Sequence, residues 1–123
     1  MEKRNDNICH IAMNKYFKLA KAIATKNKDG RDFLLGACCV RKDGKVVLAQ
    51  NIKNADKNHK CHAETRVSRM SDKGSIVYVV RLTKDGKLAN SKPCIGCQNS
   101  MRARGVKKCF YSISEKEYGV MEL

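Results

Sequence analysis

The chain has 123 residues, enough for one hydrophobic core and too few for two, so residues 1–123 are expected to form one domain. Its formal charge is +14, from 26 Lys+Arg against 12 Asp+Glu, which makes phosphates and other polyanions the expected company of its surface. The hydrophobic share is 42% with no apolar run near ~18 residues, which excludes a membrane-spanning helix from the sequence reading.

Apolar residues recur at helical spacing from Ile8 to Thr25, with Ile11, Tyr16, Leu19, Ile23 and several alanines on one side. This segment is predicted as a first amphipathic helix, ended by Asp29-Gly30. Phe33–Val40 is a continuous apolar run of strand length, and Asp43-Gly44 makes a hairpin turn into a second strand, Lys45–Gln50. Asn51–Lys60 is polar and aperiodic, a loop that delivers the chain to His62. Ala63–Met70 suits a short helix stopped near Asp72-Lys73-Gly74. Ser75–Leu82 holds the most β-rich run, Ile76-Val77-Tyr78-Val79-Val80, whose unbroken apolarity predicts a strand covered on both faces.

After a turn at Asp85-Gly86, a loop leads to Pro93. Proline is tolerated at or before a first helical turn, so Cys94–Arg104 is predicted as a helix closed by Gly105. Lys107–Ile113 is a fourth strand. Ser114–Leu123 is too short for a parallel crossover, so Tyr118–Leu123 must return by a hairpin as a fifth strand antiparallel to the fourth.

Two short stretches carry chemistry: His62-Ala63-Glu64, and Pro93-Cys94-Ile95-Gly96-Cys97 some thirty residues later. His62, Cys94 and Cys97 are the donor types of a catalytic Zn²⁺ site with three protein ligands and a fourth position for water. Glu64, two residues after His62, is placed to take a proton from that water and return it to a substrate nitrogen and a leaving amine. Two other readings stand beside this one. Cys61 would complete a closed structural zinc tetrad, although it would have to reach the same ion as its neighbour His62; Cys94 and Cys97 would make a redox pair, which leaves His62 and Glu64 without a role.

Seven cysteines are an odd number for a disulfide framework, and the polar start Met1–Asp6 lacks the apolar stretch of a secretory signal. Reduced thiols in an intracellular compartment, cytoplasmic or nuclear, are therefore expected. Cys38, Cys39 and Cys109 lie in apolar runs and are expected in the core.

The motif pair and the element order resemble the cytidine deaminase superfamily over nearly the whole chain. That resemblance implies an α/β fold, a three-layer helix–sheet–helix sandwich around a mixed five-stranded sheet whose fifth strand is antiparallel. It also implies His62, Cys94 and Cys97 as zinc ligands and Glu64 as general acid and base. Ala63 would offer its backbone N–H, and Ser91 or Lys92 backbone groups, to the base ring, while Asn51 would meet the sugar. Self-association into a homo-oligomer is implied as well.

The expected reaction is hydrolytic deamination of a cytosine base to uracil, in a nucleoside, a nucleotide or a single-stranded nucleic acid. Binding zinc through two thiolates leaves the +14 charge almost unchanged, which favours the phosphate-bearing forms. Lys53, Lys57, Lys60, Arg66, Arg81, Lys92 and Arg102 are expected in or near the loops that rim the pocket. Adenine or guanine deamination, and a degenerate deaminase fold that only binds nucleic acid, are the alternatives.

Overall fold

A computed structural model describes residues 6–10, 15–26, 34–51 and 63–123, with backbone alone for 6–10 and Glu64. In chain order the elements are β1 (Asp6–His10), α1 (Lys15–Thr25), β2 (Leu34–Val40), β3 (Val46–Gln50), α2 (Ala63–Ser68), β4 (Ile76–Leu82), β5 (Leu88–Ala89), α3 (Ile95–Ala103), β6 (Lys108–Ser112) and β7 (Glu117–Glu122). The strands form one mixed sheet in the order β1-β7-β6-β4-β2-β3, with β5 paired to the end of β4. β4 and β6 are parallel, Ile76 to Val79 facing Lys108 to Tyr111. The other described pairings are antiparallel, including β6 with β7, as the short C-terminal segment requires.

The five anticipated strands are all present, and two pairings extend them. Asp6–His10 is a strand on the outer edge, with Ile8 opposite Gly119, where the sequence had suggested that a helix already begins at Ile8. Periodicity over three residues cannot separate helix from strand, and the partner that decides the matter lies more than a hundred residues away. Leu88–Ala89, expected as loop, pairs with Arg81 and Leu82 beyond the point where β6 leaves β4.

Alternation along each strand divides the core into two layers. Cys39, Val77, Val79, Cys109 and Tyr111 face α2 and α3, together with Val67 and Met101 from those helices. Cys38, Tyr78, Val80 and Leu82 face α1, where Phe17, Ala20 and Ala24 are buried. β4 is therefore covered on both faces, which explains its unbroken apolar run. Burying each of its valines removes apolar area from water, a contribution of about 1.5–3 kcal/mol per side chain.

α1 presents a different stripe from the one anticipated. Phe17, Ala20 and Ala24 are buried, Tyr16 and Ile23 are half-buried, and Leu19 stays 38% exposed; Ile11 lies outside the described residues. The cause is the close approach of α1 to β2 at Gly36. A Cβ built there would lie 2.1 Å from the Ala20 carbonyl oxygen and 2.9 Å from Ala24 Cβ, so only alanines fit the contact line. Aromatic rings fill the space beside it. Phe17 meets Tyr78 edge-on at 5.3 Å, and Tyr78 stacks on Phe110 at 4.8 Å, separations favourable for ring pairs.

Among the described residues no helix is long and apolar enough to cross a membrane. Gly36→Ala should destabilise the protein by at least about 2 kcal/mol, because the added methyl meets helix backbone that cannot move without lifting α1 off the sheet. Urea unfolding followed by circular dichroism should show a lower midpoint at an unchanged slope.

Candidate metal centre and active site

α2 precedes β4 and α3 precedes β6, and the two strands are parallel. Both helices therefore begin at the carboxyl edge of the same strand pair, the position where open α/β sheets hold ligands. Pro93 is buried ahead of α3, and its carbonyl oxygen accepts a hydrogen bond from Gln98 Nε2 at 2.9 Å. Cys94 caps the helix with extended backbone, φ −66° and ψ 166°, without a side-chain capping bond.

Cys94 is exposed, whereas Cys97, one turn on, is buried. Their sulfurs lie 3.5 Å apart. Two Zn–S bonds of ~2.3 Å meeting at a tetrahedral angle place sulfurs roughly 3.8 Å apart, so the pair fits two ligands of one ion. A disulfide needs ~2.05 Å, so the two sulfurs are not bonded to each other. The N-terminus of α3 lends partial positive charge to this end of the helix.

Thr65 connects the two helices. Its buried hydroxyl donates to Cys97 Sγ at 3.1 Å, and its carbonyl oxygen accepts from Ser68 Oγ at 2.7 Å. Sequence reasoning passed over Thr65; the signal was a polar residue on the inward side of a helix, next to Glu64. Glu64 lies in α2 one residue before Thr65, but its side chain is outside the described residues. His62 and Cys61 also lie outside them, as do Lys53, Lys57 and Lys60. Ala63 opens α2 and is fully buried.

Asn51 follows β3 directly and is 3% exposed. Its Oδ1 accepts from the Leu35 N–H at 3.0 Å and its own N–H donates to the Leu35 carbonyl at 3.1 Å, so it extends the β2–β3 ladder by one step. Ser91 is buried where β5 replaces β6 beside β4. Its N–H donates to the Ser112 carbonyl at 2.8 Å, and its Oγ lies 3.0 Å from the carbonyls of Val79 and Ser112. Ser112 Oγ, 2.9 Å from Ser91 Oγ and 2.7 Å from Ala89 O, closes the network that ties β4, β5 and β6 together. The Lys92 N–H donates to Asn90 Oδ1 at 2.9 Å, and its side chain is exposed.

The basic residues divide. Arg66 donates to the Gln50 carbonyl at 2.6 Å, and Arg81 reaches toward the Asn90 carbonyl at 3.5 Å near this edge. Arg102, expected near the pocket, sits in the last turn of α3, at the opposite end of the helix from Cys94. Seven residues of helix, Ile95 to Met101, separate Arg102 from Cys94.

Residues 11–113 match the family model for the cytidine and deoxycytidylate deaminase zinc-binding region, and the chain belongs to that family. It is a zinc-binding hydrolase of the cytosine-deaminating class. No curated protein matches the chain. Among solved structures, a cytidine deaminase from Burkholderia pseudomallei is similar at 24% identity with a TM-score of 0.65, covering 87% of this chain and 89% of that one. A cytidine deaminase from Mycobacterium leprae is similar at 17% identity and a TM-score of 0.55, covering 81% and 86%. One from Mycobacterium tuberculosis gives 17%, 0.52, 80% and 85%. At these identities the likeness is one of fold.

Cys38 and Cys39 are fully buried on opposite faces of β2. Burial, with a smaller contribution from Cys39, pushes the Cys38 thiol up to about 12, and burial raises Cys39 as well. With zinc removed by a chelator, iodoacetamide at pH 8 should label Cys94 and spare Cys38 and Cys39, read by peptide mass spectrometry. Stability should also fall above about pH 9, because the unfolded chain ionises Cys38 there while the folded chain keeps its proton up to about 12.

Proposed function

We propose that this protein hydrolyses the exocyclic amine of cytosine to give uracil and ammonia, with His62, Cys94 and Cys97 holding zinc and Glu64 moving protons. The observation that carries this reading is the cysteine pair, 3.5 Å apart at the start of α3 and hydrogen-bonded through Thr65 to the helix that bears Glu64. Bound there, zinc supplies Lewis-acid charge that brings the pKa of water toward ~7.

Glu64 removes one proton from the attacking water and delivers it to N3 of the base while oxygen adds to C4. It then passes the second proton to the amine, which leaves as ammonia. The backbone N–H of Ala63 holds the base from one side. The N–H groups of Ser91 and Lys92 are engaged within the protein, and backbone groups of this segment meet the base ring from the other side. Asn51, whose Oδ1 accepts from the Leu35 N–H, meets the sugar.

The +14 charge favours cytosine that carries phosphate, as a nucleotide or a single-stranded nucleic acid, over the free nucleoside. An intracellular, reducing compartment would keep the ligand thiols unoxidised. A homo-oligomer would enclose a base that a chain of this size has little surface to surround alone.

Glu64→Gln should keep about one zinc per chain while lowering kcat by about 10²–10⁴, measured as ammonia release with zinc counted by atomic absorption. Full activity of this variant would overturn the proton role. Cys94→Ala should lose zinc and stability together. In a panel of cytidine, cytidine monophosphates, adenosine and single-stranded oligonucleotides at low salt, phosphate-bearing cytosine should turn over fastest. That advantage should shrink as salt rises, and salt-insensitive preference for free cytidine would count against it.

A further inference from the structure

At the edge of the sheet opposite Cys94, three connections converge around a cavity of about 680 Å³. Lys42 comes from the β2–β3 turn, Lys73 from the turn before β4, Arg102 from the end of α3, and Lys107 from the start of β6; Val106 and Leu123 complete its lining with two glycines. All four cations are exposed. Among the described residues none of them pairs with an acidic side chain. The neighbouring carboxylate is directed elsewhere. Asp72 accepts from the Ser75 hydroxyl and the Lys42 N–H and lies 3.8 Å from Arg41, contacts that hold its carboxyl below the usual range.

The cavity wall is built by backbone. Gly74 and Gly105 both have positive φ, and the Gly74 N–H donates to the Gly105 carbonyl at 2.7 Å. The Lys107 N–H donates to the Ser75 carbonyl at 2.8 Å, which fixes the second strand to the same wall. A Cβ at Gly105 would lie 2.9 Å from Lys73 Cα, so the lysine-bearing turn rests directly on the turn after α3. Four like charges held together in this way repel one another, and an anion that enters the cavity relieves that repulsion.

We propose that this cavity is a phosphate-binding site that grips the backbone of single-stranded nucleic acid about 12 Å along α3 from the cysteine pair. The apolar part of the lining and the size of the cavity suit a sugar-phosphate unit rather than a small inorganic ion, and four separate cations suit successive phosphates. The choice of nucleic acid as the polyanion rests on the substrate reading above; the site itself stands on its four cations and its glycine-built wall. It contributes affinity and register without touching the reacting base.

The test uses a fluorescent oligothymidylate, which lacks cytosine and so reports on backbone binding alone. Lys73→Gln/Lys107→Gln should bind it about tenfold more weakly at low salt, with a salt slope reduced by about 1.4. Lys18→Gln/Lys26→Gln, two exposed lysines of the α1 region removed at the same cost in charge, should bind within twofold of the unaltered protein. Turnover of free cytidine should be equal in all three. Equal weakening in both variants would overturn the proposal, since net charge alone would then explain binding. So would absence of oligothymidylate binding at low salt, or displacement of the probe by inorganic phosphate as readily as by unlabelled oligonucleotide. Retained binding in a protein that deaminates no cytosine would sink the substrate reading and support the cavity as a site.

Discussion

The parallel pairing of β4 with β6 is the constraint on which the rest depends. A helix that leads into a parallel strand must run back along the sheet to reach that strand's start. With two such helices on one face, α2 and α3 begin side by side at the carboxyl edge. Their first turns carry Glu64 and the cysteine pair. Had β6 been antiparallel to β4, α3 would begin at the other edge, and Cys97 would have no access to Thr65. The 3.1 Å contact between Thr65 and Cys97 is the local expression of that topology.

The same pairing ends early, and its ending shapes the pocket side. β6 stays beside β4 only as far as Val79 and Tyr111; beyond it the two-residue β5 takes the place next to Arg81 and Leu82. The backbone groups exposed by that divergence are satisfied by Ser91 and Ser112, both buried. A buried polar cluster with its partners in place holds geometry firmly, and this one lies just before the segment that carries Pro93 and Cys94. Rigidity upstream of the cysteine pair keeps the two sulfurs in register, so the paired serines support the start of α3.

Charge organises the molecule from the other end. Acidic groups such as Asp43 and Asp72 gather on Arg41, and among the described residues Lys42 and Lys73 of the neighbouring turns pair with no acidic side chain. One edge of the sheet thus holds soft sulfur donors and the other a group of hard cations, joined by the single helix α3.

Much of this was legible in residue order. His62-Ala63-Glu64 and Pro93-Cys94-Ile95-Gly96-Cys97 offer zinc-donor types and a carboxylate by residue type and spacing alone, and β4 announces its central place by an apolar run that no half-exposed strand sustains. The antiparallel β7 followed from counting the residues left. What sequence could not settle were relations set by distant partners. Ile8 belongs to a strand because β7 lies alongside it, and Leu19 stays outside because Gly36 draws the alanine stripe of α1 onto the sheet. Arg102 faces away from the cysteines because a helix carries its two ends to opposite edges. Local patterns fix what a segment prefers and which atoms it offers; contacts between segments fix which face is buried and which groups meet.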